Sequence, residues 1–223
     1  MSEIIAITID GEVASGKTSV GRIVAKHLRY RFLDTGLMYR ALTWAAVNNN
    51  IDPNDADTLV RLAAENIVEV KFDHNGEGVV YLGDWNSTPY LHDSKVEMHV
   101  SSVSRVPAVR GEMVTQQRIL ARDDSIIMVG RDIGTVVLPN AKHKIFLTAS
   151  PEIRALRRYE EQDANRAPSY DDILRALKAR DLQDKSRVVG PVVPAEDAHI
   201  IQTDDLSLGQ VVNWILKIVE EST

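Results

Sequence analysis

Gly11-Glu12-Val13-Ala14-Ser15-Gly16-Lys17-Thr18, with Ser19 directly after, satisfies the spacing GxxxxGK[ST] in full. Glycines at both ends let backbone N–H groups turn toward a phosphate, and a helix starting there adds partial positive charge. Lys17 can reach the β and γ phosphates of a nucleoside triphosphate, and the Thr18 hydroxyl suits Mg²⁺. A glycine turn before an ordinary helix could spell the same letters. Context argues otherwise, because an apolar run from Ile4 to Ile9 precedes the loop and Val20, Ile23, Val24 and Leu28 follow at helical spacing. Residues 11–19 therefore read as a site for ATP and Mg²⁺.

A second set of candidates is cationic. Arg131-Asp132 follows the apolar run Ser125 to Val129, which places both at the carboxyl end of a strand, where open α/β sheets bind ligands. Arg180, Asp184 and Arg187 recur at i, i+4 and i+7 and share one helix face. Arg154, Arg157, Arg158 and Arg166 flank a loop near residue 165, and Arg40 lies one turn into a helix. Any one of these arginines reads equally well as a solvated helix surface. Several fixed guanidinium forks around one phosphate loop suit transfer between two phosphate-bearing molecules.

The elements that must position these residues alternate. A short strand, Arg31 to Leu33, leads to Asp34-Thr35-Gly36, where Thr35 is placed to cap a helix through Tyr39, Leu42 and Val47. Residues 51–96 interrupt the alternation with a helix from Asp57 to Asn66 and two runs, Ile67 to Phe72 and Gly78 to Leu82, joined by a turn at His74-Asn75-Gly76. Pro107 opens a helix to about Leu120, and strands follow at Ser125 to Val129 and Lys144 to Thr148. Helices over about 151–163 and 170–187, a strand at His199 to Gln202 and a last helix from Ser207 to about Glu220 complete the pattern. The reading is an α/β fold with a mostly parallel sheet flanked by helices.

Composition narrows the classes. The 223 residues suit one domain, and 44% apolar with 26% charged residues is ordinary for a globular chain. Twenty-six basic against thirty-two acidic residues leave a net charge of −6, which disfavours long nucleic acid as a partner. There is no cysteine, so disulfides and thiolate metal sites drop out. No apolar run reaches the roughly 18 residues of a membrane span, and the acidic start is unlike a signal peptide. We expect a cytoplasmic monomer. A GTP switch is disfavoured, since Asp73-His74-Asn75-Gly76 falls in the hairpin turn and no Asn-Lys pair occurs. A non-catalytic ATP sensor, needing only the loop and a partner surface, stays open on the residues alone. His92 and His99 lack a third ligand nearby and read as surface or packing residues, and Trp44, Trp85 and Trp214 as packing residues.

Nearly the whole chain resembles the bacterial cytidylate kinases, a family of nucleoside monophosphate kinases among the P-loop NTPases. The resemblance rests on Leu33-Asp34-Thr35-Gly36 with Met38-Tyr39-Arg40-Ala41 and on Gly130-Arg131-Asp132-Ile133-Gly134-Thr135-Val136-Val137. It rests equally on Arg180-Asp181, Asp184 and Arg187 leading to Pro191 and Pro194-Ala195-Glu196-Asp197-Ala198. It implies a P-loop NTPase core over about 1–33, 99–150 and 188–223. It also implies an inserted monophosphate-binding region over about 34–98 and a lid over about 151–168 whose following helix runs to 187. The substrates implied are ATP with Mg²⁺, and CMP or dCMP as acceptor. Arg40, Arg131 and Arg187 would hold the acceptor phosphate, Ser101, Arg110 and Asp132 would read the cytosine edge, and Arg180 with Asp184 would hold the ribose. Thr35 belongs to the same acceptor set, while Lys17, Arg131, Asp132, Arg157 and Arg158 would serve the transfer itself. Another kinase of this fold, with UMP or shikimate as acceptor, is the alternative.

Three positions depart from the family pattern. Glu12 stands where proline is common and is expected to point to solvent. His92 takes the place of an arginine in Leu91-His92-Asp93-Ser94-Lys95-Val96, and Gln202-Thr203 replaces an aspartate-containing pair.

Overall fold

A computed structural model describes residues 4–65, 67–161 and 168–221. Arg166 and most of the loop between the two charged helices lie outside the described residues. Among the described residues the elements run β1 (Ala6–Gly11), α1 (Lys17–Leu28), β2 (Arg31–Asp34), α2 (Gly36–Asn48), α3 (Ala56–Ala64), β3 (Val68–Phe72), β4 (Gly78–Leu82), β5 (Trp85–Asn86), α4 (Ser94–Val103), α5 (Pro107–Leu120), β6 (Ile126–Gly130), β7 (His143–Thr148), α6 (Pro151–Glu160), α7 (Tyr170–Lys185), β8 (His199–Gln202) and α8 (Leu208–Glu221). The main sheet has five strands in the order β2-β6-β1-β7-β8 and is flanked by helices. β1 pairs in parallel with β7 from Ile7 opposite His143 to Gly11 opposite Leu147, and β7 pairs in parallel with β8. All five residues of β6 are buried, the continuous apolar run expected of a strand covered on both faces.

The chain divides into two compact units, residues 1–5 with 25–128 and residues 6–24 with 129–223. In the first, α2 packs on α4, and Met38, Leu42, Val96, Val103 and Met113 are buried. Its small antiparallel sheet pairs Val68 with Leu82 and Tyr81 with Asn86 in the order β3-β4-β5. The turn before β4 is stitched to β2 by a hydrogen bond from the Phe32 N–H to the Gly76 carbonyl, 2.8 Å.

Several expectations need correction. Thr35 stands at the start of α2 but its side chain caps nothing, and its backbone is already helical. Asp34 Oδ1 instead accepts from the Gly36 N–H at 2.9 Å. α3 begins at Ala56, because the Asp55 carboxylate accepts from Thr58 N–H at 3.1 Å and sets the end there. β5 and α4 were not foreseen, although Asp93 caps α4 through Lys95 N–H at 2.8 Å and Val96, Val100 and Val103 make its buried face. Trp214 is 54% exposed rather than packed, while Trp44 and Trp85 stack at 4.6 Å.

In the second unit, β1 is tied to the segment that follows β6. After Asp132 the chain makes one π turn, Ile133–Val137, closed by the Leu138 N–H on the Ile133 carbonyl at 2.7 Å. The Asp10 carboxylate, at the end of β1, accepts from Ile133 N–H at 2.8 Å and from Gly134 N–H at 2.7 Å. A side chain at Gly134 would lie 2.9 Å from Thr8 Oγ1, so only glycine lets the turn approach so closely.

Asp10→Ala leaves two buried N–H groups without their acceptor and should lower the unfolding free energy by about 2 kcal/mol or more, read from denaturant midpoints. A pH effect follows as well. Burial, the largest influence, raises the Asp10 pKa from 3.8 to about 6; the Asp132 carboxylate adds to the rise, and the two N–H donors and Lys17 oppose it. The folded pKa lies above the unfolded one, so this proton's contribution to stability is complete below 3.8 and lost as pH climbs through about 6. Stability relative to Asp10→Asn, which has no such proton, should therefore decline across that window. A difference that stays flat with pH would show that Asp10 titrates alike in both states.

Candidate active site

The phosphate loop leaves β1 at Gly11 and enters α1 at Lys17. Its shape depends on backbone angles that ordinary side chains resist: φ is +153° at Gly11, +59° at Ala14 and +87° at Gly16. A Cβ at Gly11 would lie 2.1 Å from the Leu147 carbonyl oxygen, so β7 permits only glycine. A Cβ at Gly16 would meet nothing within 4 Å, leaving open space over the loop. Ser15 Oγ is buried with no hydrogen-bond partner among the described residues, a hydroxyl suited to an incoming phosphate oxygen. Lys17 Nζ donates to the Glu12 carbonyl at 2.7 Å, which folds the cation back along its own loop. Open space, an orphaned hydroxyl, a lysine and the Thr18 hydroxyl beside it are together the donor set that a Mg²⁺-bound triphosphate needs.

Glu12 is not turned to solvent as its sequence position suggested. It is only 8% exposed, and its Oε1 lies 3.7 Å from Lys185 Nζ on α7. Its other carboxyl oxygen is buried without a hydrogen bond. The acidic side chain thus leans from the phosphate loop toward α7.

Beside the loop, one carboxylate organises two of the expected arginines. Asp184, 2% exposed, accepts from Arg131 Nε at 3.0 Å and from Arg187 Nη2 at 2.5 Å. Arg131 Nη1 also donates to the Gly11 carbonyl at 3.2 Å. Two guanidinium groups therefore stand next to the phosphate loop, held by a shared anion and by the loop backbone itself. Asp132, 4% exposed, follows Arg131 and opens the π turn. Arg180 sits one turn before Asp184 on α7, partly exposed.

The arginines of α6 differ in what they hold. Arg154, 2% exposed, forms a two-pronged pair with Asp181 at 3.1 and 2.6 Å and donates to the carbonyls of Ala149 and Val13. It braces α6, α7 and the phosphate loop. Arg157 donates twice to Thr203, at 3.1 Å to Oγ1 and 2.5 Å to the carbonyl. Thr203 in turn donates from its N–H to the Thr148 carbonyl at 2.9 Å, so Thr203 anchors Arg157 after β8, while Gln202 donates to Asp204. Arg158 is exposed on the same helix.

The remaining candidates lie in the first unit. Arg40 on α2 donates to Glu97 on α4 at 2.9 Å and to the Leu91 carbonyl at 3.3 Å. His92 Nδ1 lies 3.9 Å from the same Glu97 oxygen. Arg110 on α5 is 2% exposed, sits over the Tyr39 ring at 5.5 Å and donates to the Ser104 carbonyl at 3.3 Å. Thr35 is buried at the start of α2, and Ser101 is partly exposed on α4. Glu97, which meets two of these residues, was not among the sequence candidates, because it lies in the first turn of α4, a helix the sequence reading had not recognised. Among the described residues no group of three or more His, Asp or Glu side chains is arranged to hold a metal ion.

Known proteins resemble this chain over almost all of its length. The family model described as cytidylate kinase matches residues 7–221. A curated cytidylate kinase of Streptococcus equi subsp. zooepidemicus is 43% identical over 218 residues, covering 97% of this chain and 96% of that one. A cytidylate kinase of Geobacillus sp. is 43% identical and covers 97% of each chain. Among solved structures, an uncharacterized protein from Eubacterium ventriosum aligns over 97% of this chain and 98% of its own, with a TM-score of 0.53 at 12% identity, which bears on the fold alone. Matched by the family model over almost its entire length and by full-length relatives well above the identity at which families are shared, the chain belongs to the cytidylate kinase family.

Proposed function

We propose that this protein transfers the γ-phosphoryl group of Mg·ATP to the phosphate of CMP, and of dCMP, giving ADP and the nucleoside diphosphate. The observation that carries the reading is the Arg131–Asp184–Arg187 cluster beside the phosphate loop, with Arg131 also bonded to the Gly11 carbonyl. A module that only senses ATP has no use for a second fixed cationic site at the loop's entrance. A kinase whose acceptor is itself a phosphate needs one.

The roles follow from the chemistry of each side chain. The loop backbone from Gly11 to Ser19 cradles the triphosphate, with Lys17 moving from the Glu12 carbonyl to the β and γ phosphates. The Thr18 hydroxyl would hold Mg²⁺, which when bound neutralises charge on the β and γ oxygens. Arg40, Arg131 and Arg187 grip the acceptor phosphate and aim one of its oxygens in line with the γ phosphorus. That oxygen forms the new P–O bond as the bond to the β-phosphate oxygen breaks, and ADP leaves with the electron pair. The acceptor oxygen is already ionised at neutral pH, so no side chain has to remove a proton. Arg157 and Arg158 add positive charge as the transferring group passes.

Base selection rests on complementary hydrogen bonding. Cytosine presents an amine donor beside ring N3 and O2 acceptors, matched by the Asp132 carboxylate and the Arg110 guanidinium, with Ser101 as a further partner. Uracil would turn a carbonyl toward Asp132, two acceptors facing each other. Arg180 and Asp184 take the ribose hydroxyls, and Thr35 lines the same acceptor site.

The deciding experiment is ADP formation from Mg·ATP with CMP, dCMP, UMP, AMP and shikimate supplied singly. Turnover with the two cytidine nucleotides supports the reading, and turnover confined to another acceptor overturns the substrate. Lys17→Ala should cut the transfer rate at least about a hundredfold with an unchanged circular dichroism spectrum; normal turnover would remove Lys17 from the mechanism. Asp132→Ala should weaken CMP binding by about tenfold or more while ATP binding changes little. Equal losses for both nucleotides would show that Asp132 does not read the base.

A further inference from the structure

Arg40 is the one expected phosphate ligand whose guanidinium already carries a carboxylate of comparable strength on a surface-facing edge. Its Nη1 donates to Glu97 Oε1 at 2.9 Å, with side-chain exposures of 14% and 27% for the pair. The same nitrogen donates to the Leu91 carbonyl at 3.3 Å. That second bond matters, because it orients Arg40 whether or not Glu97 is charged. α2 and α4 pack against each other, so the backbones that carry Arg40 and Glu97 are fixed and release of the pair is a matter of the two side chains. His92 Nδ1, on a 68% exposed side chain, lies 3.9 Å from the same Oε1.

We infer that Glu97 is a built-in competitor for the acceptor phosphate, occupying Arg40 so that only a ligand more strongly anionic than a carboxylate displaces it. This rests on the proposed role of Arg40 in holding the acceptor phosphate. A nucleotide phosphate, with close to two negative charges and three acceptor oxygens, exceeds a carboxylate at a guanidinium fork, whereas a nucleoside has nothing to offer there. Glu97 thus weakens binding of any acceptor whose phosphate must displace it, by the strength of its pair with Arg40, and leaves a ligand with no anionic group at that point unaffected. It is a positioning residue that sets acceptor affinity, and the transferring atoms never touch it.

The test is calorimetric binding of CMP and of cytidine to the protein and to Glu97→Gln, alongside steady-state kinetics. The amide keeps the shape and drops the charge, so Glu97→Gln should bind CMP about two- to fivefold more tightly and lower the CMP KM by the same factor, the range of a partly exposed charge pair. Cytidine affinity and the KM for ATP should stay within about twofold. Glu97→Asp, with its charge drawn back toward the helix, should fall between the two. CMP binding unchanged or weakened by Glu97→Gln would overturn the inference, as would an equal gain for cytidine, since the effect would then bypass the phosphate. A parent protein that neither binds nor phosphorylates CMP would fail the proposed function itself, a result separable from these because it needs no variant.

Discussion

Two backbone N–H groups, those of Ile133 and Gly134, converge on the carboxylate of Asp10, and the positions of donor and acceptor residues in the second unit follow from that convergence. Asp10 is the residue immediately before Gly11, so the same two bonds fix the start of the phosphate loop and the turn that carries Arg131 and Asp132. The arrangement is costly, since burial makes the carboxylate reluctant to ionise. It persists because both donors point at it and because Gly134 lets the turn come close. Phosphoryl transfer depends on holding two substrates in line to within a fraction of an ångström. A single buried link between the two halves of the chemistry serves that requirement better than two independently placed loops.

Asp184 repeats the device one layer out. Its carboxylate gathers Arg131 from the end of β6 and Arg187 from beyond α7, two cations that would otherwise repel each other. Arg131 then returns to the Gly11 carbonyl, so the loop, the strand end and the last helix of the lid region share one hydrogen-bonded circuit. Arg154 closes a second circuit through Val13, Ala149 and Asp181. Buried and bonded on every side to α7, the phosphate loop and the end of β7, it belongs to the frame.

The fold and the phosphate loop were legible in the residues because both depend on local rules: apolar period, glycine spacing, and a lysine and threonine at fixed offsets. Arg180 and Asp184 lie one turn apart on α7 as their spacing suggested, but the expected helix face does not extend to Arg187, because α7 ends at Lys185 and Arg187 meets Asp184 from beyond the cap. Charge pattern alone could not separate Arg154 from Arg157 or Arg131, since a guanidinium that braces a loop and one that awaits a substrate look identical in sequence. Glu12 was misjudged because its burial is decided by α7, more than 170 residues away in the chain. α4 was missed although Asp93 and three valines at helical spacing announced it. Thr35 was given a capping role that Asp34 performs, a choice between neighbours that propensity does not resolve.

The cations of this protein differ in what already holds them, and that difference predicts how selective each part of the site is. Lys17 rests on a neutral carbonyl, that of Glu12. A carbonyl is a weak rival to a triphosphate, so exchange at the donor loop needs little beyond the ligand's own charge. Arg131 is shared between a carbonyl and a buried carboxylate that also serves Arg187, and the buried anion stabilises the cluster without leaving it, since expelling it would strand a charge among apolar neighbours. Arg40 is held by the partly exposed carboxylate of Glu97. If Glu97 competes with the acceptor phosphate as inferred, discrimination between strongly and weakly anionic ligands rests at Arg40, where the rival is charged and at the surface, and the donor loop binds by shape and number of contacts.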